Sequence, residues 1–285
     1  MNELQLVESI RRNAGNKKMV LGIGDDCAVY RPKPGRDLLF TTDFLIEDIH
    51  FKRDIYEPDA VGHKALARSL SDIAAMGGDP EFCLLSLAVS DNVDDRWLSG
   101  FFRGFWALAR KYKTTLSGGD LSRAGKVTCD VMVCGSVPTG AAIRRDGARP
   151  GDIIYVSGAL GHDWRKFQRP DPRIAFGKKL RGRATSAIDV SDGISIDLHR
   201  LAKASGVSAV LETLPLLKGA TLEEALHGGE DYELLFTMPP RRKAPAGAAR
   251  IGVIEKGSPG VVRFTEKVLE PLGYDHFRGE AGKKR

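Results

Sequence analysis

The chain has 285 residues, 42% of them hydrophobic and 28% charged, with a formal net charge of +6. This is globular composition, sufficient to bury a core without disulfides or a structural metal, and the length favours two domains over one. The basic residues are scattered rather than set in a stripe interleaved with aromatics, which argues against nucleic acid and leaves small phosphorylated molecules as the expected anionic partners.

Leu4, Val7 and Ile10 recur at helical spacing, so residues 3–12 read as an amphipathic helix. A Gly/Asp turn follows at 21–26. Strands are expected at 37–44 and 83–90. Between them Pro58 opens a helix whose apolar face carries Leu66, Leu70 and Ile73 and which Gly77-Gly78 stops. Residues 95–112 form a second helical stretch rich in Phe and Trp, and 114–118 and 126–137 return to β. The Pro/Gly/Arg-rich run 138–151 reads as a domain boundary, giving domains 1–138 and 139–285. Beyond it, strands are expected at 152–157, 186–190, 207–212, 232–238, 250–255 and 261–264, with a helix at 193–205. The alternation predicts an α/β (α+β-like) protein.

The cysteines Cys27, Cys83, Cys129 and Cys134 form no C-x-x-C and read as reduced thiols of a cytoplasmic protein. Asn2-Glu3 is not a basic start followed by an apolar block, and no apolar run approaches the ~20 residues that cross a bilayer, so neither a signal peptide nor a membrane partner is expected.

The aspartates carry the functional signal. Asp25-Asp26 follow Gly24; Asp43 follows Thr41-Thr42 at the end of a predicted strand; Asp72 sits on a largely apolar helix; Asp120 follows Gly118-Gly119; Asp189, Ser191, Asp192 and Gly193 join a strand to a helix; Glu230-Asp231 follow Gly228-Gly229. One Asp beside one Gly is ordinary turn chemistry. Five acidic sites at turns and strand ends, with an acid on an apolar helix besides, point to magnesium, which takes a few carboxylates together with substrate phosphates. Neither the G-x-x-x-x-G-K-[ST] loop nor the protein-kinase catalytic loop is present. Phe101, Phe102, Phe105 and Trp106 read as core, and His50 taken alone as a satisfied core histidine.

Together GIGDDCAV (22–29), TTDFLIEDIHF (41–51), SLSDIAAMGGDP (69–80), SGGD (117–120), RRDGARPGD (144–152), DVSDGISID (189–197) and HGGEDYELLF (227–236) resemble the ordered motif set of the thiamine-monophosphate kinase family. That family belongs to a superfamily with aminoimidazole-ribotide synthetase, selenophosphate synthetase and the hydrogenase-maturation dehydratase. The resemblance implies the two-domain aminoimidazole-ribotide synthetase fold. Its N-terminal sheet domain would form a homodimer, its C-terminal domain would be α/β, and ATP and several Mg2+ ions would lie at the cleft. It implies ATP-dependent phosphorylation of thiamine monophosphate to thiamine diphosphate. By motif position, Asp26, Thr41, Thr42, Asp43, Asp72, Asp120, Asp189 and Asp192 resemble metal ligands, with Asp43, Asp72 and Asp120 central to catalysis. Phe102, Gly119, Asp120, Arg145 and Ser191 resemble ATP contacts; His50, Glu230 and Tyr274 resemble substrate contacts. Two positions depart from the family: Phe102 stands where a tyrosine is usual, and the stretch between SGALG (157–161) and Pro170–Arg173 is short. The competing readings are another ATP-dependent synthetase or dehydratase of the superfamily and a catalytically silent nucleotide-binding regulator.

Overall fold

The computed structural model describes residues 3–14, 18–161 and 163–274. The chain divides into two compact units, one of Met1–Ile73, Gly78–Gly140 and Gln168–Pro170, the other of Ala74–Gly77, Ala141–Phe167 and Asp171–Arg285. Among the described residues no helix is long and apolar enough to cross a membrane.

The first unit opens with α1 (Glu3–Ala14) and is built on β1 (Arg36–Ile46), α2 (Pro58–Ala75), β2 (Asp79–Val89), α3 (Asp95–Tyr112), β3 (Thr115–Arg123) and β4 (Thr128–Pro138). Its sheet has the order β1-β4-β2-β3, with β2 and β3 parallel and the other pairs antiparallel. Side chains alternate between faces along a strand. In β1 the odd positions Leu39 and Leu45 are buried, while Phe40 and Phe44 stand 64% and 58% exposed. At β1 one sheet face is therefore covered and the other open. α2 lies on the covered face, where Ser69 Oγ donates to Val131 O at 2.7 Å.

Glycines let α2 and α3 meet backbone to backbone. A Cβ on Gly104 would stand 1.8 Å from Asp59 O, and one on Gly62 1.9 Å from Phe101 O. Phe101, Phe102, Phe105 and Trp106 of α3 are all buried, as the sequence reading of them as core anticipates. Asp94 caps α3 by accepting from Trp97 N at 2.7 Å.

The second unit holds β5 (Ile153–Val156), α4 (Trp164–Gln168), α5 (Ile174–Leu180), β6 (Ser186–Asp189), α6 (Ile194–Ala204), β7 (Ser208–Leu211), α7 (Leu222–His227), β8 (Leu234–Met238), β9 (Ala249–Glu255), β10 (Val262–Phe264) and β11 (Lys267–Val268). The sheet order is β11-β10-β7-β9-β5-β8-β6. Ile194, Leu198, Leu201 and Ala202 of α6 are buried in a core that includes Ile154, Val156, Ile188 and Leu235. On β8, Phe236 stacks on Tyr155 at 5.5 Å and meets Phe176 of α5 at 5.7 Å.

Three differences from the sequence reading bear on function. Asp43 lies inside β1, three residues before its end. Gly118-Gly119-Asp120 is strand rather than turn: β3 runs through it, with a register shift at Cys83/Leu84 of β2. The glycine is needed for close approach, since a Cβ on Gly119 would meet Leu85 O at 1.9 Å. The helices α4, α5 and α7 and strand β11 were not anticipated. α7 does carry a readable signal, the Thr221/Glu224 capping box.

Gly104→Ala is expected to cost about 2 kcal/mol or more by overpacking the α2/α3 contact. Gly125→Ala, which meets nothing within 4 Å, should stay within about 0.5 kcal/mol of the parent. Urea midpoints measured on both variants check this.

Candidate active site

The acidic residues of the first unit fall into two groups because strand alternation sends neighbours to opposite faces. Thr41, Asp43 and the α2 residue Asp72 lie on the covered face. Thr41 Oγ1 donates to Asp72 Oδ2, and Arg68 of α2 stands 3.6 Å from Asp43 Oδ1. Burial pushes the Asp43 carboxyl up to about 7; Asp72 and Asp130 add to the rise, and Arg68 opposes it.

Thr42 lies on the open face and donates to Asp130 Oδ1. Asp130 pairs with Phe44 across β1/β4 and with Ser86 across β4/β2, and Ser86 pairs with Asp120 across β2/β3. Asp130 was missed by the sequence reading, although the polar residue alternating with Cys129 and Val131 was a readable sign. The glycine-acid loop after α1 joins this side. A cleft of about 1070 Å³ is lined by Gly24, Asp25, Asp26, Tyr30, Gly119 and Asp120, among others. The structure thus brings the predicted residues Asp26, Gly119 and Asp120 to one cleft. Phe102 does not line it; its ring stacks on Trp106 at 6.2 Å and lines a pocket of about 200 Å³ between α1 and α3.

His50 follows β1 in a tightly held loop and is 6% exposed. Its Nδ1 accepts from Ile46 N at 3.0 Å, so the ring proton of the neutral form sits on Nε2. Asp48 adopts a left-handed conformation, with φ 65°. Glu47 accepts from Arg53 Nε at 2.5 Å and from Val127 N at 2.8 Å.

In the second unit, Asp189 ends β6 and is buried, and Ser191 and Asp192 form the turn into α6. The backbone N–H groups of Ser191, Asp192 and Gly193 all donate to Asp197 Oδ2 at 3.1–3.2 Å. Arg200 Nη1 bonds both Asp192 and Asp197, the latter at 2.8 Å. Burial and the neighbouring Asp192 charge raise Asp197 to about 6, opposed by those backbone donors and by Arg200. Glu230 N donates to Ser191 O at 2.7 Å, and Tyr274 N donates to Asp192 O at 3.1 Å. Ser191, Asp192, Glu230 and Tyr274 therefore meet at one turn. Glu230 and Tyr232 have φ of 66° and 50°, a left-handed conformation that costs an L-residue roughly 1–2 kcal/mol. Arg145 is exposed on the 141–151 segment, where its carbonyl accepts from Ser205 Oγ at 2.8 Å. The short segment after Gly161 is anchored at Glu233, which accepts from Arg173 Nε at 2.7 Å, Ser157 Oγ at 2.6 Å and Lys166 Nζ at 2.8 Å.

Among the described residues no three Asp, Glu, His or Cys side chains converge into a preformed metal cage. The donors present are nevertheless hard oxygens, and a divalent cation would offset the burial and the neighbouring acids that lift Asp43. Magnesium, which takes one or two carboxylates and completes its shell with water and phosphate, fits such a set.

These sheets and this spread of acids define a protein of the AIR synthase class, and the family model for the N-terminal domain of AIR synthase related proteins matches residues 24–137. Thiamine-monophosphate kinase from Salmonella typhimurium is 38% identical over 270 residues, 84% of this chain and 81% of the relative. The Bacillus subtilis enzyme of the same name is 34% identical, covering 98% of this chain and all of the relative. The solved structure of AaThiL complexed with AMPPCP and TMP superposes with a TM-score of 0.81 at 33% identity, covering 96% of this chain and 97% of that one. The chain belongs to the thiamine-monophosphate kinase family.

Asp197→Ala is expected to leave three N–H groups and Arg200 without their acceptor and to destabilise the second unit by about 2–4 kcal/mol. Thermal unfolding of the variant beside Asp192→Ala, whose side chain is more exposed, measures the difference.

Proposed function

We propose that the chain catalyses the reaction of its family, transferring the γ-phosphoryl group of ATP to thiamine monophosphate to give thiamine diphosphate. The observation that carries this reading is near-full-length similarity to thiamine-monophosphate kinases, with each glycine-acid motif present in order.

The acceptor is a phosphate whose attacking oxygen is already anionic near neutral pH, so no general base is required. The obstacle is repulsion, since two unit charges ~4 Å apart cost about 4 kcal/mol at an effective dielectric of 20. Asp43 and Asp72, with the hydroxyl of Thr41, would hold magnesium on the covered face of the first unit, as would Thr42 on its open face, Asp26 and Asp120 at the cleft, and Asp189 and Asp192 on the second unit. Bound there, the ions would supply the positive charge that offsets repulsion between the two reactants. The carboxylates orient cations rather than move protons. Gly119 lies at the cleft beside Asp120, and Arg145 and Ser191 add donors to the nucleotide. His50, Glu230 and Tyr274 contact thiamine monophosphate.

The first 138 residues form the metal- and nucleotide-binding domain and the rest the α/β domain. A second copy of the chain covers the open sheet face that carries Phe40 and Phe44, making a homodimer. Three of the four thiols are buried and unpaired, which suits a reducing cytoplasm.

ADP release is measured with ATP and magnesium in the presence of thiamine monophosphate, free thiamine, an aminoimidazole precursor or no acceptor. Release is expected only with thiamine monophosphate, with thiamine diphosphate as product and inversion at phosphorus. Asp43→Ala and Asp72→Ala should lower kcat by a hundredfold or more. Acceptor-independent release, or retention at phosphorus, contradicts the reading.

A further inference from the structure

Lys64 is the largest of the fully buried side chains, with no exposed surface at all, and it lies near the middle of α2. A lysine ammonium in such a place is costly unless it is paired and hydrogen-bonded. Its Nζ donates to the backbone carbonyl of His50 at 3.1 Å and stands 5.3 Å from the centre of the Tyr56 ring. Tyr56 is itself buried and packs edge-on against Phe51 at 6.3 Å. Lys64 therefore reaches from the helix to the loop that carries His50.

That loop is held from several directions at once. His50 N donates to Ile46 O at 2.9 Å, and Asp48 N donates to Phe51 O at 2.8 Å. The His50 ring is fixed through Nδ1 by the amide of Ile46, and Glu47 is tied to Val127 N and Arg53. Each of these ties except that of Glu47 closes within residues 46–51. The Lys64 bond ties the His50 backbone to α2, the helix that also carries Arg68 and Asp72 beside Asp43.

We infer that Lys64 is a positioning residue for the phosphate acceptor, holding the His50 loop in register with the part of α2 that carries Arg68 and Asp72. The inference rests on the functional reading above, in which His50 contacts thiamine monophosphate. Lys64 does not itself touch a reactant; it acts through the His50 carbonyl. Its removal should loosen acceptor binding and leave nucleotide binding alone.

The test is a double-variant cycle in the full-length protein, with Lys64→Met, His50→Ala and the pair, reading KM and kcat for each substrate. Turnover of thiamine monophosphate by the parent tests the functional reading by itself, and the inference is judged only on variants relative to that parent. Lys64→Met is expected to raise KM for thiamine monophosphate about tenfold, the loss of one charge-assisted hydrogen bond, while KM for ATP changes less than about twofold. In the pair, Lys64→Met should add little to the effect of His50→Ala, since the two act as one unit. A lower melting temperature with both KM values unchanged, equal rises in both KM values, or full additivity with His50→Ala overturns the inference. Should Lys64→Met fail to fold, Lys64→Gln keeps a polar side chain but is one atom shorter and uncharged, which withdraws the donor from the His50 carbonyl. The same selective rise in acceptor KM is expected there, and its absence counts against the inference.

Discussion

Asp43 sits within a strand, largely buried, with Asp72 and Asp130 adding to the burial that pushes its carboxyl up to about 7 and with Arg68 as the opposing cation. This burial of a carboxyl beside two other acids is the constraint on which the account of the first unit's site depends. The strand pairing β1/β4 sets Asp43 opposite Val131 and Thr42 opposite Met132, so Asp43 and Asp130 come near one another from opposite faces. α2 can bring Arg68 and Asp72 to the same place because its packing against α3 is close enough to exclude a Cβ at Gly62 and Gly104. A fold optimised for stability alone would not gather these charges. Their cost is understandable if phosphates and cations are what they meet.

The second unit solves a related problem differently. There the turn after β6 is held from beneath by Asp197, a buried carboxylate satisfied by three backbone amides and Arg200. Asp192 and Ser191 are thereby fixed in the turn, with Glu230 and Tyr274 bonded to its carbonyls. The left-handed conformations at Glu230 and Tyr232 are local strain offset by this network. The first unit holds its acids with strand register and helix packing; the second holds them with one hydrogen-bonded turn.

Much of this was legible in the sequence. The helices at Pro58 and Asp95 and most of the strands followed from periodicity and from glycine and proline punctuation. The glycine-acid motifs marked the right segments, and the family followed from their order. What periodicity could not supply was the third dimension. Gly118-Gly119-Asp120 looks like a turn, but the glycine serves close packing of two parallel strands, which depends on a residue about 34 positions away. Asp130 and Asp197 escaped notice because neither follows a glycine, and their importance lies in what they meet across the sheet or along the turn. Nothing in the sequence marks Lys64, and only its burial singles it out. The short helices α4 and α5 have too few turns to show a period.

The central claim is that the crowded carboxylates are seats for cations. It is tested most directly by the melting temperature with and without magnesium at pH 5 and pH 8, for the parent and for Asp43→Asn. The folded Asp43 carboxyl is raised from its ordinary 3.8 to about 7. The folded chain therefore holds a proton over that interval which the unfolded chain has released, and without metal this group's contribution to stability falls as pH rises through it. Magnesium replaces the lost proton, so it should raise the melting temperature of the parent clearly more at pH 8 than at pH 5, with most of that difference gone in Asp43→Asn. An equal magnesium shift at both pH values, unchanged in the variant, would contradict the account.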